Sequence, residues 1–224
     1  MDGILVVNKP QGMTSHDVVD LIRRRFRLKK VGHAGTLDPM ATGVLVVLIG
    51  SYTKLSAQFM SEDKEYEGSL MLGASSDTGD AWGKISVPAK QANFTDEKIA
   101  EVFNSFVGDT EQLPPMYSSV KVNGKKLYEL ARKGLSVEVT PRKISIKNLD
   151  IVRISLPEVF FKLTCSKGTY VRTICADIGE ELGCGAYMAR LNRTRSGRFT
   201  INEAIPVEEL RNMKVEDIAS RIRH

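Results

Sequence analysis

The amino-acid sequence predicts an α+β fold, and three observations carry that prediction. Apolar residues recur at helical spacing in three stretches, and strand-like apolar runs fill five others. The two kinds follow one another irregularly, without the strand–helix–strand rhythm of a parallel sheet. At 224 residues the chain is long enough to bury the core of one large domain or two small ones.

The first predicted strand covers residues 3–7. Thr14, Ser15 and Asp17 then mark a helix start, because side-chain oxygens there can accept from the unpaired first N–H groups. Val18, Ile22 and Phe26 follow on one face at every fourth position. Runs at 44–49 and 66–72 read as strands. Ile99, Val102, Phe103 and Phe106 form a second helical stripe; Asp96 and Glu97 suit the positive end of its dipole, and Gly108 is expected to end it. Strands at 144–154 and 159–166 precede a third stripe, Ile174, Ile178 and Leu182, which stops at Gly183. The 25 residues after Phe199 have room for short helices at 207–210 and 215–222. Without repeats, low-complexity tracts or a linker, a single domain over 1–224 is the expectation.

Composition narrows the function classes. A hydrophobic content of 42% and a charged content of 26% are those of an ordinary globular protein. No run of 18 apolar residues exists to make a membrane-spanning helix, and Met1-Asp2-Gly3 lacks the features of a signal peptide, so a cytoplasmic protein is expected. The net charge of +5 favours an anionic partner. Cys165, Cys175 and Cys184 are odd in number and lack C-x-x-C spacing, which points to buried thiols in a reducing compartment. His33 has no histidine or cysteine near it in sequence, and His16 and His224 are remote, so no metal is expected.

The most informative stretch is VGHAGTLDPMATG at 31–43. Three glycines and a proline make a tightly turning loop with few side chains in the way, and it runs straight into the strand at 44–49. Such a loop can present Asp38 to a ligand while the strand behind keeps it rigid. Taken as a dipeptide, Asp38-Pro39 is simply a good turn starter.

In its context, GHAGTLDPMATG resembles the catalytic loop of the TruB family of tRNA pseudouridine synthases. Further matches follow in order. Gly3 to Pro10 resembles the family's opening strand and Lys-Pro, and Thr53-Lys54 with Lys64-Glu65-Tyr66-Glu67-Gly68 and Leu72-Gly73 its second motif. Asp77-Thr78-Gly79-Asp80-Ala81-Trp82-Gly83 stands where the family has an acidic turn. Pro114 to Gly124, with Tyr128, Ala131, Arg132 and Gly134, resembles its RNA-binding insertion, here about 114–147. Gly168-Thr169-Tyr170-Val171-Arg172-Thr173, Leu182 to Ala186, and Leu191 complete the set. Two departures are Ser119, where alanine is usual, and Trp82, where a smaller residue is usual.

The resemblance implies the pseudouridine synthase fold, a bent, mainly antiparallel sheet with flanking helices and a basic insertion (thumb) loop. It implies isomerisation of a uridine in the T-arm of tRNA, at position 55, after the base is flipped out. The reaction breaks the N1–C1′ bond and remakes the link through C5, so it needs no cofactor. Asp38 is implied as the nucleophile, adding to sugar or base or stabilising a cationic C1′. Arg172 is implied as its cationic partner, through a fork that lysine lacks. Tyr66 would stack on the target uracil, with its hydroxyl helping to move a proton at the reacting nucleoside, and His33 would fill the gap left in the RNA loop. Asp80 is implied in RNA positioning and Leu191 in lining the pocket, although an Asp-Gly-type turn and a core leucine would look the same. Lys9 and Lys54 either contact phosphate or brace the catalytic loop.

Three basic clusters suggest a phosphate track. Arg23, Arg24, Arg25, Arg27, Lys29 and Lys30 place six cations in eight residues. Lys121, Lys125, Lys126, Arg132, Lys133, Arg142, Lys143 and Lys147 populate the insertion, and Arg190, Arg193, Arg195 and Arg198 form the third cluster. A short amphipathic helix at 126–132, flanked by Gly124 and Gly134, would let the insertion close as a flap. The segment after Phe199 has no room for the C-terminal PUA domain of many TruB relatives, as in a short natural form or a truncated chain. A monomer acting on the T-arm stem-loop, without a membrane or an obligate protein partner, is expected. A guide-dependent ribonucleoprotein relative and a tRNA-folding helper are the rivals.

Overall fold

The computed structural model describes residues 1–87, 94–118, 120–122, 124–131, 133–135 and 137–224. Ser119 and Arg132, both singled out above, lie outside the described residues. The chain divides into two compact units, one of Met1–Glu67 with Leu191–His224 and one of Gly68–Arg190.

The first unit opens with β1 (Gly3–Lys9), α1 (Ser15–Arg25), β2 (Val31–Ala34), β3 (Thr42–Ile49), a 3-10 segment (Gly50–Leu55), α2 (Ser56–Met60) and the start of β4 (Lys64–Leu72). The second contains β5 (Ser75–Ser76), β6 (Ile85–Ser86), α3 (Asp96–Ser105), β7 (Gly108–Gln112), β8 (Lys121–Val122), β9 (Lys125–Lys126), α4 (Leu127–Ala131), β10 (Arg142–Ser155), β11 (Glu158–Cys165) and α5 (Val171–Glu181). The chain returns within β12 (Ala186–Ser196) and ends with β13 (Phe199–Thr200), β14 (Ile205–Pro206), α6 (Val207–Asn212) and a 3-10 segment (Val215–Arg221).

In the first unit β1 and β3 pair antiparallel from Gly3 opposite Ile49 to Lys9 opposite Gly43. Both strands read as unbroken apolar runs because both of their faces are covered. Leu5, Val7, Leu45 and Val47 pack with Val18, Ile22 and Phe26 of the α1 segment and with Val207 and Leu210 of α6. Ile4, Val6, Val44, Val46 and Leu48 pack with Ala34, Phe59 and Phe199. The far edge of β3 is shared: β2 pairs antiparallel along 46–49, and the end of β12 pairs parallel at Thr42 and Gly43. Thr14 caps α1 as its sequence implies, its hydroxyl accepting from Asp17 N at 3.0 Å while Thr14 N donates to the Asp17 carboxylate at 2.8 Å.

In the second unit β10 pairs antiparallel with β11 on one side and with β7 on the other. The α3 stripe of Ile99, Val102 and Phe103 is buried, and the Phe103 and Phe161 rings lie 6.5 Å apart. The β8–β9 hairpin and α4 form the insertion. Arg142, Lys143 and Lys147, grouped with the insertion above, lie instead on the paired strand β10.

The α+β class holds, since each unit is mainly antiparallel sheet with helices against it. Some boundaries differ from expectation. The second helix stops at Ser105, and Gly108 opens β7. The segment at 215–221 tightens into 3-10 form. Three strands carry no apolar pattern that would announce them. β2 is glycine-containing, β7 (Gly-Asp-Thr-Glu-Gln) is exposed except at Gln112, and β12 is interrupted by arginines. β7 is held by its backbone pairing with β10, since four of its five residues are exposed. Among the described residues no helix is long and apolar enough to cross a membrane, and the three buried cysteines form no disulfide.

Two substitutions should separate core packing from capping. Phe103→Ala should cost about 3–5 kcal/mol in urea unfolding, whereas Thr14→Ala should cost about 1 kcal/mol. Equal losses would show that the Phe103 contacts do not dominate.

Candidate active site

The turn that carries Asp38 begins where β2 ends at Ala34 and finishes where β3 begins at Thr42. The strand β2 therefore shortens the loop foreseen at 31–43. Leu37, Met40 and Ala41 are buried and anchor the turn, while Asp38 is half-buried. Ser15, from the first turn of α1, bonds both sides of Leu37: its hydroxyl accepts from Leu37 N at 2.8 Å and donates to Leu37 O at 3.1 Å. Gly12 N donates to Pro39 O and Ala41 N to Asp38 O.

Two buried cations complete the support. The ammonium of Lys9, which is 0% exposed, donates to the carbonyls of Met13 at 2.7 Å, Pro10 at 2.9 Å and Pro39 at 3.4 Å. Arg193, 1% exposed, donates through Nε to Val44 O at 2.7 Å, through Nη2 to Gly35 O at 3.1 Å and through Nη1 to Thr36 O at 3.4 Å. The carbonyls at both ends of the turn are thus held by charged donors, whose bonds are stronger than neutral ones. Gly43 permits this approach. A side chain there would put its Cβ 2.3 Å from Arg193 O, and its φ of +105° is one that L-residues rarely adopt.

The structure corrects the third basic cluster. Arg193 faces inward, and Arg195 pairs with Glu65 while donating to Gly197 O, so neither offers a free cation to solvent. Only Arg190 and Arg198 of that group are exposed. In the first cluster Arg25 donates to the carbonyls of Arg211 and Met213, and Arg23 pairs with Asp20, leaving Arg24, Arg27, Lys29 and Lys30 exposed.

The other first-unit residues are placed as follows. Tyr66 lies on β4 and is nearly buried. Leu191 is buried on β12, and Lys54 is exposed in the 3-10 segment. His33 lies on β2 opposite Val47, with its Nδ1 buried and making no hydrogen bond among the described residues. Burial, and then the charge of Arg193, pull its pKa below the usual imidazole value, so it is neutral at pH 7.

In the second unit Arg172 occupies the first turn of α5 and is buried. Its guanidinium donates to Thr78 O at 3.3 Å and to Tyr117 O at 2.5 Å, tying the acidic turn and the base of the insertion to the helix start. Gln112, which drew no attention in the sequence, clamps the residue before that helix: its side chain accepts from Tyr170 N and donates to Tyr170 O. The buried Asp80 carboxylate accepts from Thr78 Oγ1 at 2.8 Å and from Trp82 N at 3.0 Å. Lys121 is exposed on β8. Among the described residues no group of three His, Cys, Asp or Glu side chains is placed to hold a metal ion.

Chemically, the first unit offers a half-buried carboxylate on a turn held by buried cations, with the Lys9 charge near enough to interact with it. The sequence of the N-terminal domain of the TruB family pseudouridylate synthases matches residues 23–171, and that of the tRNA pseudouridylate synthase B C-terminal domain matches residues 172–223. The chain is 50% identical over 217 residues to tRNA pseudouridine synthase B of Syntrophotalea carbinolica, covering 97% of this chain and 71% of the relative. It is 45% identical over 222 residues to tRNA pseudouridine synthase B of Opitutus terrae, covering 99% and 92%. A solved Cbf5–Nop10–Gar1 complex is similar at a TM-score of 0.76 and 28% identity, over 99% of this chain and 57% of that one. The chain thus spans a little over half the length of that solved chain.

Burial lowers the Lys9 pKa from 10.5 to about 8, with the nearby Asp38 charge acting in the opposite direction. Between those two values the unfolded chain binds the extra proton, so linkage makes folding more favourable as pH rises through that window. Urea unfolding at pH 7 and pH 10 should show this gain, up to about 3 kcal/mol, in the wild type and not in Lys9→Met. At pH 7 Lys9→Met should itself lose about 1–3 kcal/mol, because the carbonyls it satisfied stay buried. A variant with the wild-type pH dependence would assign the titration elsewhere.

Proposed function

The chain belongs to the TruB family of pseudouridylate synthases and isomerises uridine to pseudouridine in tRNA, and we propose that its target is T-arm position 55 and its nucleophile Asp38. The observation that supports Asp38 most directly is its fixed position on a turn braced by Lys9, Arg193 and Ser15. A nucleophile held in place makes its approach to the sugar or base effectively intramolecular.

The chemistry follows from the bonds that change. The N1–C1′ bond breaks, the base turns, C5 bonds to C1′, and the C5 hydrogen leaves as a proton. Asp38 takes up the electron-poor centre, by covalent addition or by charge stabilisation at C1′. The Lys9 charge lies near enough to interact favourably with the Asp38 carboxylate. Arg172 is proposed as the further cation of the reacting carboxylate, and Tyr66 as the ring on which the flipped uracil stacks and the hydroxyl that helps move a proton at the reacting nucleoside. His33, neutral at pH 7, fills the space the base vacates. Asp80 positions the RNA, Leu191 supplies an apolar contact to the base, and the exposed Lys54 and Lys121 meet phosphates. Lys9, with its ammonium engaged by carbonyls, acts as a brace rather than a phosphate contact.

The two units act together as one catalytic domain, as a cytoplasmic monomer without guide RNA or obligate protein partner. The higher identity to relatives named tRNA pseudouridine synthase B than to the solved Cbf5–Nop10–Gar1 complex favours this over guided action.

Tritium release from T-arm RNA labelled at uridine C5 tests the proposal. Wild type should release tritium without guide RNA or metal, and Asp38→Asn should not. Tyr66→Phe should bind RNA normally and lose turnover; a normal single-turnover rate would leave Tyr66 with stacking alone. His33→Ala should slow flipping or weaken binding without abolishing release, and a block as complete as that of Asp38→Asn would make His33 catalytic.

A further inference from the structure

Trp82 occupies the acidic turn of the second unit, and it is 55% exposed. An indole carries one of the largest apolar surfaces of any side chain, and leaving half of it in water forgoes burial that folding would otherwise favour. Its immediate neighbours along β6 continue the exposure: Ile85 is 42% and Val87 78% exposed, and Lys84 adds an exposed cation.

The turn that displays this ring is stiff. The Trp82 N–H donates to Asp80 Oδ1 at 3.0 Å, and that same oxygen accepts from Thr78 Oγ1. Ala81 N donates to Met188 O and Met188 N to Gly79 O, both at 3.0 Å, which fastens the turn to β12. Lys84 N donates to Asp77 Oδ1 at 2.7 Å, closing the far side. Gly83 fits only as glycine, since a Cβ would lie 2.3 Å from the side-chain oxygens of Ser76, Asp77 and Thr78. A large aromatic face held on a rigid support loses little conformational freedom when a partner covers it.

We propose that Trp82 is a further RNA-binding residue of this chain, its indole stacking on an unpaired base of the bound tRNA other than the target uridine. The proposal rests on the RNA-modifying function above. A nucleobase is the favoured partner because Lys84, two residues on in the chain and exposed as well, can meet the adjoining phosphate, in a chain of net charge +5. Flipping a base out of a loop also leaves its neighbours without a stacking partner, and an aromatic face is tolerant of which base it receives.

The chain contains one tryptophan, so its emission reports this side chain alone. Titration of the wild type with T-arm stem-loop RNA should quench that emission, saturating together with tritium release from the same RNA. Trp82→Ala should raise KM about tenfold, equivalent to ~1.4 kcal/mol, with kcat little changed, and Trp82→Phe should recover most of the loss because it keeps a stacking face. Wild type that releases tritium with unchanged emission, or Trp82→Ala with unchanged KM, overturns the stacking role and leaves the enzyme assignment standing. No tritium release by wild type overturns the RNA-modifying function and this proposal with it.

Discussion

The Asp38 turn is held by two cations that water does not reach. Lys9 and Arg193 between them occupy the carbonyls of Pro10, Met13, Gly35, Thr36, Pro39 and Val44. Withdrawing each ion from water costs several kcal/mol, and only close, multiple bonds offset that. The supports come from separate stretches of chain: the end of β1, the start of α1 and the returning strand β12. The turn is therefore set only when the first unit is fully assembled. The doubly covered strands β1 and β3 are the rigid frame that makes this possible, and Gly43 is the point at which β12 comes close enough to deliver Arg193.

Placing charge on carbonyls behind a carboxylate has a functional consequence. The turn that carries Asp38 is held by the Lys9 ammonium and the Arg193 guanidinium rather than by water, so its backbone is set before any ligand arrives. The second unit uses the same device on a smaller scale. Arg172 spends two of its donors on the carbonyls of Thr78 and Tyr117, joining the acidic turn and the base of the insertion to the start of α5. In both units a guanidinium that looks like a surface cation in sequence organises backbone.

Much of this fold was legible from residue pattern. The Thr14–Asp17 cap, the stripes of α1, α3 and α5, and the apolar runs of β1 and β3 each follow from local chemistry, and the structure places them where that chemistry does. The Asp38 segment was legible because its glycines, proline and carboxylate form a long and specific word. The supports of that segment were not. Arg193 stands among Arg190, Arg195 and Arg198, and a run of arginines carries no mark of which one turns inward; only the pairing of β12 with β3 decides it. Gln112 and Ser15 were equally silent, because a polar side chain that bonds distant backbone resembles a solvated one until the distant backbone is known.

Arg193 braces the turn through a guanidinium fork, and Arg193→Lys under single turnover with saturating T-arm RNA measures what the fork contributes. Lysine keeps the charge but cannot reproduce three bonds spread over Nε, Nη1 and Nη2. The chemical rate should fall by about tenfold or more with RNA affinity unchanged. An unchanged rate with weakened, more salt-sensitive binding would make Arg193 a phosphate contact and contradict it.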